Sequence, residues 1–138
     1  MSAVVIIDSG PLVARYCESE GTHAWVRKQM ARLVPPLVTC EAVLTETCFL
    51  LARERVNPVR IALAVKTGFL KVDFEISNEA AALELLMSRY ADTPMSLADA
   101  CLVRLSELHK DCRVFTLDRH FKNYRRYGRS VIPVLSPW

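Results

Sequence analysis

Glycine is scarce in this chain: only Gly10, Gly21, Gly68 and Gly128 occur in 138 residues. That scarcity leaves no G-x-x-x-x-G-K-[ST], no G-x-G-x-x-G and no G-x-S-x-G, so phosphate-cradling loops and a nucleophile elbow are excluded. Histidine is scarcer still, and His23, His109 and His120 have neither zinc spacing nor a linked cysteine pair. The five cysteines are odd in number and form no C-x-x-C pair, so they read as small buried hydrophobes in a reducing compartment. No apolar run approaches a membrane span, and the N-terminus lacks a signal peptide's charged region and cleavage site. The expected location is the cytoplasm, with no membrane. A net charge of +3 is too small to identify a partner.

What is present suits one domain over 1–138, long enough to bury roughly two-thirds of its unfolded surface. Apolar β-branched runs predict strands at 3–8, 37–40, 70–74 and 113–118, and an edge strand at 131–135, where Pro133 cannot donate to a ladder. Between them, helical periodicity predicts helices at 10–20, 22–33, 41–54, 57–68, 77–90 and 96–110. Ser77 is the expected cap of the fifth. Strands alternating with helices imply βαβ crossovers: an α/β fold with a mostly parallel sheet and helices on both faces.

Four acids stand in unusual places. Asp8 ends VVII and Asp118 ends VFTL, and ligands of open parallel sheets bind beyond such carboxyl ends. An N-cap explains either residue equally well, since a helix can follow both. Glu46 sits mid-helix with Ala42, Phe49 and Leu50 as helical neighbours, a face not plainly solvated, whereas Glu41 and Glu54 look like surface charges. Asp99 shares a stripe with Met95, Leu102 and Val103. A capping box, Ser96-x-x-Asp99, accounts for it if the helix starts at Ser96. A start at Thr93-Pro94 leaves it beyond the first turn, where capping has no use for it. Asp92 could cap or support the site, as could Ser9, Ser96 and Thr116; Asp73 and Asp111 read as ordinary loop or strand-end charges.

If Asp8, Glu46, Asp99 and Asp118 converge, carboxylates about 4 Å apart repel by roughly 4 kcal/mol at an effective dielectric near 20. Such a group needs protons or a cation. Oxygen-only ligation selects Mg²⁺ or Mn²⁺, and a hard cation is what phosphodiester hydrolysis requires. A phosphoaspartate chemistry would want a second Asp where Gly10 stands, and a receiver domain an acidic pair that is missing.

DSGPL after the first strand, LTETCFLLAR, YADTPMSLADACLV and FTLDRHF stand in the order seen in PIN-domain ribonucleases, and within these the chain resembles a VapC-type toxin of a toxin–antitoxin pair. The resemblance spans almost the whole chain. It implies a five-stranded parallel sheet and Mg²⁺- or Mn²⁺-dependent endoribonuclease activity. By position, Asp8 and Asp99 would be the main metal ligands, with Glu46 and Asp118 completing the pocket. It also implies a homodimer and a cognate antitoxin. Many relatives carry a further acid two residues after the last one; His120 in D-R-H-F departs from that pattern and weakens a second metal site.

Two rival readings stand beside the toxin: a PIN-like RNA- or protein-binding module without catalysis, and a housekeeping RNA-processing nuclease. The segment RHFKNYRRYGR, 119–129, carries five Lys/Arg, no acid and three aromatics. Following directly on Asp118, it offers Arg119, Lys122, Arg125 and Arg126 as RNA-binding cations at the pocket rim, the alternative being a solvated loop with Phe121 and one tyrosine in the core.

Overall fold

The computed structural model describes residues 3–138. Its main sheet has five parallel strands in the order β3-β2-β1-β4-β7: Leu70–Val72, Leu37–Thr39, Val4–Ile7, Cys112–Phe115 and Val134–Leu135. Six helices flank it: α1 Ser9–Tyr16, α2 His23–Met30, α3 Glu41–Arg53, α4 Val59–Lys66, α5 Ile76–Arg89 and α6 Leu97–Leu108. The α/β class and its five-stranded parallel sheet are as the sequence predicts.

Local chemistry sets the helix ends. Asn57 Oδ1 accepts from Val59 N at 3.0 Å, and Gly68, at φ 84°, takes the left-handed turn after α4 that a side chain would resist. Ser77 does not cap α5, which starts one residue earlier, at Ile76, with no side-chain cap. Nor does α6 start at Pro94: 91–94 form a turn, and Ser96 caps the helix from outside.

The core is continuous around β1. Ile6, Ile7, Leu12, Val43, Leu102, Leu105, Val114 and Phe115 are fully buried, and α6 packs on both β1 and β4. Strands covered on both faces have no polar alternation, which is why VVII and VF are unbroken apolar runs.

The sequence beyond Asp118 departs most from expectation. A single 3₁₀ turn, Arg119–Lys122, leads into a short antiparallel ribbon of β5 Arg125–Arg126 and β6 Ser130–Val131. Tyr127 (φ 56°) and Gly128 (φ 78°) form its turn, two left-handed residues in the manner of tight hairpins. The expected strand 131–135 is therefore two pieces: Val131 belongs to the ribbon, and only Val134–Leu135 pairs with β4. Pro133, which has no N–H, lies between them and contributes only its carbonyl, to Val114 N at 2.9 Å.

Candidate active site

The sheet reverses its order between β1 and β4: from β1 the chain moves outward through β2 to β3, and β4 returns to the other side of β1. Crossovers diverge there and leave a crevice at the carboxyl ends of the two strands. Asp8 follows β1 into that crevice, and Thr116–Asp118 follow β4. The two are tied together, because Thr116 Oγ1 donates to Asp8 Oδ2 at 2.7 Å and accepts from Asp118 N at 3.0 Å.

Asp8 is only 6% exposed. It caps α1, accepting from Ser9 N at 2.7 Å, yet no Lys or Arg forms a salt bridge with it among the described residues. Burial pushes its pKa up to about 6, and the bonds from Thr116 and Ser9 only partly offset this; the fields of Asp99 and Glu46 push it further. A cap has no need of a carboxylate buried this deeply.

Glu46 reaches the same place along α3. Ser9 Oγ donates to a Glu46 carboxylate oxygen and lies 3.4 Å from Asp8 Oδ1, so one hydroxyl bridges two acids. The Glu46 side of α3 is open to solvent, contrary to the sequence expectation: Glu46 is exposed and its neighbour Phe49 is 62% exposed.

Asp99 does two jobs. The capping box forms in full, with Asp99 N donating to Ser96 Oγ at 3.0 Å and Ser96 N to Asp99 Oδ2 at 3.2 Å. Tyr124 adds its hydroxyl to the same oxygen at 3.3 Å. All three of these contacts leave Oδ1 free of hydrogen bonds from the described residues. Burial raises the Asp99 pKa, and the charge of Asp118 raises it further. Asp118 caps the 3₁₀ turn through His120 N at 2.9 Å and takes a second contact from His120 Nδ1 at 2.8 Å.

The four acids therefore share one electrostatic field, each also satisfying a local backbone or hydroxyl group. Asp92 does not join them; it is exposed in the turn before α6. Among the described residues, no three His, Cys, Asp or Glu side chains stand grouped so as to hold a metal ion as they are. The donor set nonetheless suits a hard cation: oxygen atoms only, one carboxylate buried with a raised pKa, and no arginine or lysine bonded to Asp8, Glu46 or Asp99.

The basic segment divides. Arg119 and Lys122 are exposed beside Asp118. Arg126 is elsewhere: its guanidinium donates to Ser106 O at 2.9 Å and Lys110 O at 3.1 Å, past the carboxyl end of α6 and beside Cys112 at the amino end of β4. Seven residues of helix from Asp99 to Ser106 rise by about 10 Å, so Arg126 is remote from the acids and serves as a clamp. Arg125 Nη1 is likewise held by Lys122 O and Tyr124 O. Phe121 and Tyr124 are both fully buried while Tyr127 is 49% exposed, which matches the alternative of Phe121 and one tyrosine in the core. Tyr124, whose hydroxyl touches Asp99, is the site residue that sequence reasoning missed; its signal was an aromatic inside a polar run.

Comparison with known proteins agrees with this architecture. A family model described as PIN domain matches residues 5–127. Ribonuclease VapC26 of Mycobacterium tuberculosis is 31% identical over 136 residues, covering 95% of this chain and 99% of that protein. The crystal structure of Mycobacterium tuberculosis VapC20, a Sarcin-Ricin loop cleaving toxin, superposes with a TM-score of 0.75 at 20% identity, over 94% of this chain and 99% of that one. At that identity the structural likeness bears on the fold alone.

Proposed function

The chain belongs to the PIN domain family and is VapC-like, and from this premise we propose that it is an endoribonuclease. It would hydrolyse RNA phosphodiesters with Mg²⁺ or Mn²⁺ and act as the toxin of a toxin–antitoxin pair. The observation that carries this reading is Asp8: a carboxylate at the switch point of a parallel sheet whose burial, helped by two other acids, raises its pKa, with no lysine or arginine bonded to it among the described residues. Asp8 and Asp99 would be the main ligands of the cation, with Glu46 and Asp118 completing the pocket. When bound, the cation supplies an activated water and neutralises charge on the phosphodiester in the transition state.

The chain's own residues prepare that site. Thr116 holds Asp8 Oδ2, Ser9 holds Glu46, and Ser96 with Tyr124 fixes Asp99 by Oδ2, leaving Oδ1 for the pocket. His120 steadies Asp118 in the position where many relatives carry a further acid. The partners in this reading are RNA, a cognate antitoxin and a second copy of the chain. Five free cysteines, four of them buried, agree with a reducing cytoplasm, and no described helix is long and apolar enough to cross a membrane. The test is an RNA cleavage assay with Mg²⁺, Mn²⁺ and a chelator, beside Asp99→Asn. Cleavage that ignores the chelator, or survives that substitution, refutes the proposal.

A further inference from the structure

The chain after β7 returns to the acid pocket. β7 runs parallel to β4 with Leu135 beside Phe115, and Thr116 N donates to Leu135 O at 3.2 Å. Residues 136–138 therefore leave the sheet at the edge where Asp8, Thr116 and Asp118 stand. There the Arg119 guanidinium lies over the Trp138 ring, 4.6 Å from its centroid, and Ser136 Oγ donates to Trp138 O at 2.7 Å. Trp138 remains 39% exposed. Unlike Arg125 and Arg126, the Arg119 side chain makes no hydrogen bond to the described residues; its contact is the indole.

We propose that Trp138 and Arg119 form a nucleobase-stacking platform for single-stranded RNA at the rim of the acid pocket. Trp138 takes an unpaired base on its ring, and Arg119 takes the adjoining phosphate. This rests on the ribonuclease reading and says how that site seats its substrate. An acidic pocket repels a phosphodiester, so affinity has to come from groups beside it. An indole gains from any base, because every base has a π face, and a guanidinium lying on a ring keeps its in-plane donors for bidentate phosphate contact. Only Trp25 and Trp138 are tryptophans, and Trp25 is packed edge-on to Phe115, 5.8 Å between centroids.

The test follows Trp138 emission in a Trp25→Phe, Asp8→Asn background, where RNA is held uncut. Oligoadenylate should quench it saturably, whereas inorganic polyphosphate, charged but without bases, should not. Trp138→Ala should weaken oligoadenylate binding about tenfold, and Trp138→Phe should restore most of it. Arg119→Ala should lower the log–log salt slope by about one. Oligoadenylate bound with unchanged emission, quenching by polyphosphate of equal size, or full-strength binding by Trp138→Ala each overturns the platform while leaving the nuclease reading intact. Wild-type protein that neither binds nor cleaves RNA overturns both.

Discussion

At its amino end α6 presents Asp99 to the fields of Asp8 and Asp118, and no lysine or arginine bonds any of the three among the described residues. At its carboxyl end the same helix has its charges engaged. Arg104 bonds Glu79 at 2.6 Å and Glu107 at 3.0 Å, Glu107 accepts from Tyr127 N at 2.7 Å, and Arg126 caps the last carbonyls. One end is a structural joint in which charges of opposite sign are bonded to one another or to carbonyls, although Arg126 Nε is buried without a partner. The other keeps like charges together at a cost, and a fold retains such repulsion where something outside the chain is to be bound. The difference lies in pairing, not in the number of charges.

The largest effect that would break this comparison is at the amino end. Asp8→Asn or Asp99→Asn should lower Mg²⁺-dependent RNA cleavage by orders of magnitude, measured on labelled RNA, while the melting temperature in chelator holds or rises as repulsion is relieved. Cleavage at the wild-type rate by both variants would make these acids caps and nothing more.

Next comes the pH dependence of the metal-free protein. Folding raises the Asp8 pKa from 3.8 to about 6, so between those values the folded state binds its proton more tightly than the unfolded state. Stability in chelator should therefore fall as pH climbs from about 4 to about 6, by up to roughly 3 kcal/mol, and then level off. Urea unfolding at a series of pH values measures this, and Asp8→Asn should flatten the slope. A stability that rises across that window would contradict the burial of an unpaired Asp8.

The clamp gives the converse. Arg126→Ala should destabilise by about 2 kcal/mol, because Ser106 O and Lys110 O lose a charged donor. It should leave the salt slope of RNA binding unchanged, since this guanidinium lies away from the acids. A lower slope with unchanged stability would return Arg126 to the RNA surface. The smallest effect is Tyr124→Phe, which deletes the hydroxyl on Asp99 and should destabilise by about 1 kcal/mol or less, with a modest loss of cleavage and binding left unaltered. Loss as large as that of Asp99→Asn would make Tyr124 part of the chemistry.

Much of this was legible beforehand, for identifiable reasons. VVIID and VFTLD read as buried strands ending in acids because burial on both faces removes polar alternation, and the chain pattern needs nothing more. The capping box and the catalytic reading of Asp99 looked like alternatives, yet the box that forms does not exclude the other: a carboxylate has two oxygens, and capping uses Oδ2 alone. The basic run misled because its Lys/Arg residues look alike in sequence. Arg125 and Arg126 turn to backbone carbonyls, whereas Arg119 lies on Trp138, a partner nineteen positions away in numbering and brought near by the parallel pairing of β7 with β4.

The sequence by itself determined the six helices, the strands of the main sheet apart from where the last one begins, and some of the short-range caps, such as those at Asn57 and Gly68, because periodicity and capping act over a few residues. It also determined that acids would stand at strand ends. Tertiary structure alone decided that Asp8, Glu46, Asp99 and Asp118 share a field, through the reversal of strand order between β1 and β4. It alone decided which arginine is a clamp and which lies at the rim. The physical reason is range: a hydrogen-bond donor is free or occupied according to which carbonyls come near it, and sheet order brings them there from distant parts of the chain.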